Sequence, residues 1–148
     1  IQTKKRKLHM KFSRKASANW KGQIKAGMGT ISTESKVLDA SKYGFATRFE
    51  DGKGTNPEEL IGAAHAGCFT MQLTAFLGEE GYTAEDLKTD ANVTFEDGAI
   101  TKIDLTLVGK VPECDAETFK KIATKAKENC PVSKLLNAEI SLDATLEE

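Results

Sequence analysis

The run from Asn56 to Gly81 constrains this chain more than any other stretch. Asn56 suits a helix N-cap, Pro57 suits the first helical position, and Glu59 sits where a capping box closes. The pattern PEELIGAAHAGCFTMQLTAFLGEEG then continues to Gly81, the residue type favoured just past a helix end. Its centre, GAAHAGCF over 62–69, is almost wholly small or apolar. A helix that is apolar most of the way round is buried on most of its sides. Gly62, Ala63, Ala64, Ala66 and Gly67 also let another backbone approach closely. The fold must therefore pack this helix on a sheet and on a second helix.

The other elements are read around it. Residues 17–24 and 29–34 read as strands, turned by Gly27 and Gly29. Residues 43–50 alternate, with Tyr43, Phe45, Thr47 and Phe49 on one face and Gly44, Ala46, Arg48 and Glu50 on the other, so a third strand is expected. Residues 51–55 are a loop. Strands at 87–95 and 99–108 join through Glu96-Asp97-Gly98, a hairpin signal. An amphipathic helix over 114–129 takes Asp115 as its cap and turns Phe119, Ile122, Ala123 and Ala126 inward. Pro131 opens a short helix to Leu136, and 139–146 close as a strand. Strands and helices in separate blocks give an α+β class with a mostly antiparallel sheet.

Length and charge narrow the function. The chain has 148 residues, enough for one domain that needs no disulfide or metal to fold. Residues 1–9, IQTKKRKLH, hold four basic residues and no acid, and read as a tag or a disordered tail ahead of a single domain over 10–148. The net charge is −1 over the whole chain and −5 without that tail, so no electrostatic case exists for a nucleic-acid partner. No unbroken apolar run approaches the ~18 residues of a membrane span. No apolar leader follows Met10, which makes a reducing cytoplasm the expected compartment. The three cysteines, Cys68, Cys114 and Cys130, are odd in number and form no CxxC, against both a disulfide framework and a four-cysteine zinc site.

Cysteine chemistry remains, and it requires a thiolate. Cys68 lies eleven residues beyond Pro57, too far for the helix N-terminus to lower its pKa. A buried thiol there needs a cation, and Arg48, one of three arginines, is the candidate. Glu58, Glu50 and Glu59 are the candidate carboxylates to orient that guanidinium. Glu58 and Cys68 are ten positions apart, roughly 15 Å and about 280° of helix. They cannot share one face of one straight helix, so a common site requires a bend or a second subunit. Cys130, ahead of Pro131, is the second thiol of interest. Other chemistries fit less well. His65 is three positions before Cys68 and allows a Cys-His hydrolase, although a lone histidine on an apolar helix is more often a hydrogen-bonded core residue. A metal site from His65, Cys68 and Cys130 lacks a fourth ligand. Gly52-Lys53-Gly54-Thr55 lacks the first glycine of a P-loop. Cys114 is flanked by Glu113 and Asp115, which disfavour a thiolate there. A non-enzymatic reading, a dimeric stress protein that binds an apolar small molecule, also stands.

Four segments resemble the OsmC/Ohr family of osmotically inducible and organic hydroperoxide resistance proteins. They are GTNPEELIGAAHAGCF (54–69), NCPVS (129–133), WKGQIKAGMGTISTES (20–35) and YGFATRFE (43–50). His65 and the arginine of TRFE fit the OsmC branch. The resemblance covers nearly all of 17–146. It implies an intertwined homodimer with sheets wrapped around long central helices and active sites at the interface. It implies reduction of organic hydroperoxides, and of hydrogen peroxide less well, with an external dithiol as reductant and no cofactor or metal. By the same resemblance Cys68 is the peroxidatic thiol, Cys130 the resolving thiol, Arg48 the thiolate-stabilising cation and Glu58 its carboxylate partner. Cys114 matches no role in the family pattern.

Overall fold

Left-handed backbone at Gly22, Gly54, Gly81 and the Asp97-Gly98 pair marks several of the chain's turns in the computed structural model, which describes residues 10–148. The basic run over 1–9, expected to be a tag or tail, lies outside the described residues. The chain divides into two compact units, one running to Asn56 and the other spanning Pro57–Glu148.

In the N-terminal unit, β1 (Ala16–Lys21) and β2 (Met28–Thr33) form an antiparallel pair in register from Ala16↔Thr33 to Lys21↔Met28. β3 (Ser41–Tyr43) adds antiparallel to β2. The sheet is short because the expected third strand over 43–50 does not form. The chain turns at Gly44 into a helix, α1 (Phe45–Phe49). Thr47 Oγ1 accepts from the Gly44 N–H at 2.8 Å and donates to the Gly44 carbonyl at 3.0 Å, which satisfies both backbone groups at the helix start. Phe45 and Phe49, four apart, bring their rings to 5.0 Å on one side of the turn. The loop after α1 folds back, with the Thr55 N–H donating to the Lys42 carbonyl at 2.9 Å and the Asn56 side-chain amide to the Thr47 carbonyl at 3.0 Å.

The C-terminal unit opens with α2 (Pro57–Glu79), 23 residues long, followed by Gly81 at φ 89° as the expected left-handed stop. β4 (Asp86–Glu96) and β5 (Ala99–Lys110) pair antiparallel through Asp97 and Gly98, both with positive φ, as a two-residue turn matched to strand twist requires. α3 (Ala116–Asn129), α4 (Pro131–Leu135) and β6 (Glu139–Leu146) follow. β6 runs parallel to β5, so the three-stranded sheet is mixed, in the order β4-β5-β6. A helical crossover between parallel strands is the connection such pairing demands.

Burial on α2 departs from expectation. Gly62, His65, Phe69, Leu73 and Leu77 are buried as one stripe, at the three- and four-residue spacing of a single helix face. Ala63, Ala64, Gly67, Met71 and Ala75 are exposed in the single chain, so the helix is not covered on most of its sides. By length and composition α2 is also long and apolar enough to span a membrane, although polar residues interrupt its apolar runs. Its buried stripe joins the core formed by Ile103, Leu105 and Leu107 of β5 and Phe119, Ile122, Ala123 and Ala126 of α3. A core helix meets the same length and composition test. Gly62 permits the close approach to β4, since a Cβ there would stand 3.2 Å from Val93 Cγ2.

Candidate active site

Cys68 and Cys130 meet although they lie 62 positions apart: Cys130 Sγ donates to Cys68 Sγ at 2.9 Å. Both are free thiols, Cys68 half-buried and Cys130 wholly buried. Two helices bring them together. Cys68 lies on α2 between the buried residues His65 and Phe69. Cys130 closes α3 and starts α4, with its extended backbone placing one helix on each side. Its N–H donates to the Ala126 carbonyl at 2.9 Å and its carbonyl accepts from Lys134 at 3.1 Å. Pro131 suits this junction because the first helical position needs no N–H donor.

A second contact lies beside the first. His65 is wholly buried, and its Nε2 stands 2.7 Å from Ser133 Oγ. Its Nδ1 is buried without a hydrogen-bond partner. Burial lowers the imidazole pKa, so the ring is neutral at neutral pH. The one hydrogen bond the His65 ring makes is therefore to Ser133. Ser133 is the last residue of the NCPVS motif, and nothing in the sequence alone assigns it a role. The available signal was a matched spacing, since His65 and Cys68 are three apart and so are Cys130 and Ser133.

The Cys68 thiol is pushed above its ordinary pKa, first by burial and then by its neighbour Cys130, while a backbone hydrogen bond from Val132 on α4 opposes the shift. Within these influences the thiol is the favoured form at neutral pH. Cys114 lies on the loop between β5 and α3, its Sγ 3.6 Å from the Asp115 carbonyl oxygen. Burial and then the Asp115 carboxylate raise its pKa as well, in keeping with a bystander thiol.

Arg48 belongs to the N-terminal unit, on α1, exposed, with its guanidinium carbon 5.4 Å from the Phe49 ring centroid. It was expected on a strand opposite an aromatic stripe; on the short helix it instead neighbours one of those aromatics. Glu58 is the second residue of α2, half-buried, at the opposite end of the buried stripe from Leu77. Glu59 is on the same first turn and exposed, and Glu50 closes α1. On a continuous helix the argument that Glu58 and Cys68 do not share a face holds. Gly52, Lys53 and Gly54 lie in the loop that returns to β3. Among the described residues, no three His, Cys, Asp or Glu side chains gather in a way that could hold a metal.

A family model described as OsmC-like protein matches residues 50–145. The chain is 54% identical over 141 residues to the peroxiredoxin OsmC of Escherichia coli (strain K12), across 93% of this chain and 99% of that one. It is 30% identical over 122 residues to the organic hydroperoxide resistance protein OhrB of Bacillus subtilis (strain 168), across 80% and 88% of the two chains. The crystal structure of the Bacillus subtilis OhrB matches with a TM-score of 0.66 at 26% identity, over 92% of this chain and 98% of that one. An OsmC-like protein from Mycoplasma pneumoniae matches with a TM-score of 0.72 at 15% identity, over 94% and 100%, a likeness of fold.

Proposed function

The chain belongs to the OsmC family, and from that premise we propose that it is a thiol-dependent peroxidase acting on organic hydroperoxides, and less well on hydrogen peroxide, in cytoplasmic stress defence. The observation that carries this reading is the 2.9 Å approach of Cys130 Sγ to Cys68 Sγ. Two thiols this close, drawn from different helices, can join with little motion once one is oxidised.

The reaction balances with protein thiols alone. The Cys68 thiolate attacks the distal oxygen of ROOH. A sulfur–oxygen bond forms, the oxygen–oxygen bond breaks, and the alkoxide takes up a proton and leaves as ROH. Cys68 is then a sulfenic acid. Cys130 attacks that sulfur, the hydroxyl leaves as water with the thiol's proton, and a disulfide results. An external dithiol returns two electrons and two protons and restores both thiols. The raised pKa of Cys68 makes the first step depend on a cation. In this reading Arg48 supplies it and Glu58 orients the guanidinium, both assigned from the family motif. The separation of Glu58 from Cys68 along α2 favours a homodimer in which two chains contribute to each site. Ala64 and Met71, four before and three after Cys68, flank it on the exposed side of α2. An apolar R group is suited to that surface.

The test is mass spectrometry after one equivalent of cumene hydroperoxide. The expected product has lost two hydrogens, mapped to a Cys68–Cys130 disulfide, and Cys68→Ser consumes no peroxide above the buffer rate. Recovery of both thiols fully reduced, or unchanged turnover by Cys68→Ser, would defeat the assignment. A non-catalytic apolar-ligand protein predicts the first of those results.

A further inference from the structure

α4 is five residues long and buries none of its side chains fully. The backbone bonds at its two ends run from Lys134 to Cys130 and from Leu136 to Val132, each 3.1 Å. A helix of this length does not persist by itself. Val132 and Leu136 pack against the core, while Leu135 is 77% exposed. These apolar contacts are non-directional and do not by themselves set the register of the helix on α2.

The side-chain hydrogen bonds to α2 form two rungs, beside the backbone hydrogen bond from Val132 to Cys68. Ser133 meets His65, and Cys130 meets Cys68. Each helix spaces its two residues three apart, and the pairs run in opposite directions. His65 is fully buried with only one of its two nitrogens hydrogen-bonded, an arrangement that costs more than an apolar side chain of similar size would. The gain from such a residue is geometric: its one bond fixes the neighbour's position.

We propose that the His65–Ser133 hydrogen bond is a latch that positions α4, and thereby holds Cys130 within reach of Cys68. His65 and Ser133 are positioning residues that touch neither peroxide nor the reacting sulfur. The consequence for turnover rests on the peroxidase reading, but the reach of the two thiols does not, and it is measured without peroxide.

The experiment equilibrates the full-length protein with glutathione buffers of graded composition. Acid quenching, alkylation and peptide mapping then give the effective concentration of Cys130 toward Cys68. Ser133→Ala is expected to lower it by about tenfold, the upper range for one lost hydrogen bond. Ser133→Thr, which keeps the hydroxyl, should return it to within about twofold of the starting value. In parallel, excess cumene hydroperoxide should give Ser133→Ala more sulfinic acid at Cys68, because resolution competes less well with a second oxidation. An unchanged effective concentration in Ser133→Ala overturns the latch. So does a Thr variant no better than Ala, since that makes the effect one of packing rather than of the hydroxyl. A lowered concentration with peroxide-inert Cys68 in every variant leaves the latch standing and removes the peroxidase reading.

Discussion

In the C-terminal unit twelve apolar residues are buried in one core, from Phe69 on α2 to Cys130 at the start of α4. Among the described residues of the N-terminal unit no apolar side chain is buried to that degree, and Ile24, Met28 and Phe49 are 67%, 62% and 48% exposed. The difference follows from what each segment has to pack against. Two helices cover the β4-β5-β6 sheet, whereas the N-terminal strands are three to six residues long and carry only the one-turn helix α1. A small sheet needs a helix or another sheet over its apolar face to be stable by itself. The C-terminal unit therefore holds the two thiols on a rigid base. The N-terminal unit, which carries Arg48, has apolar surface left for a second copy in the proposed homodimer.

The largest effect expected is at Phe119. It is wholly buried at the centre of the core, and Phe119→Ala should cost about 3–5 kcal/mol. Urea unfolding of the two proteins measures it. Trp20→Ala in the N-terminal unit is the matched substitution. Trp20 is half-buried, and its ring meets Tyr43 edge-on at 5.7 Å. A loss there as large as at Phe119 would mean that the N-terminal unit has a full core in solution, and the contrast would fail.

Two glycines sharpen the same contrast at a smaller scale, because each lies under aromatic rings on a strand. A Cβ on Gly109 would stand 2.6 Å from Phe119 Cζ and 2.9 Å from Leu87 Cδ2. Phe119 has no room to yield, so Gly109→Ala should cost about 1–3 kcal/mol by overpacking. A Cβ on Gly29 would stand 2.5 Å from Tyr43 Cε1 and 2.6 Å from Trp20 Cε3. Those rings are partly exposed and can turn outward, and alanine is better than glycine in a strand, so Gly29→Ala should cost less than about 1 kcal/mol. Thermal unfolding ranks the pair. If Gly29→Ala proved the costlier, the N-terminal rings would be clamped by something that the single chain does not display.

The two units also differ in how far their local patterns determined them. Asp97-Gly98, Gly81, Asp115 and the inward set Phe119, Ile122, Ala123 and Ala126 all carry signals that act within a few residues, and each appears as read. Residues 43–50 satisfy two periods at once. Tyr43, Phe45, Thr47 and Phe49 alternate, yet Phe45 and Phe49 are also four apart, and the Thr47 hydroxyl bonded to Gly44 decides for the helix. The parallel pairing of β6 with β5 is a long-range outcome, although the helical crossover between them was visible. On α2 the apolar composition implies burial on most sides, whereas the single chain buries one stripe. Composition shows which residues favour burial, and a covering partner need not be in the same chain. For the site, Cys68 and Cys130 stand out as residues and resemblance to a family supplies their roles, whereas Ser133 needed the fold, because only the antiparallel placement of α4 along α2 pairs its spacing with that of His65 and Cys68.

The smallest expected effect concerns how each unit starts a helix. α1 begins with the neutral hydroxyl of Thr47 on Gly44, while α3 begins with the Asp115 carboxylate accepting from the Thr118 N–H at 2.7 Å. That backbone bond, the largest influence on it, holds the Asp115 pKa below the ordinary carboxylate range. A carboxyl with a depressed folded-state pKa stabilises the fold fully above its unfolded-state value, and the contribution is lost as pH falls through the folded-state value. Asp115→Asn keeps a capping side chain but removes the titration. The gap in melting temperature between the parent protein and Asp115→Asn should thus be positive and constant above about pH 5, and should shrink as acid protonates the cap. Thr47→Ser, which keeps the α1 hydroxyl, should show a pH-independent gap over the same range. A gap for Asp115→Asn that stayed constant down to the lowest pH at which the protein folds would show that the carboxylate charge adds nothing to the cap, and the electrostatic distinction between the two helix starts would disappear.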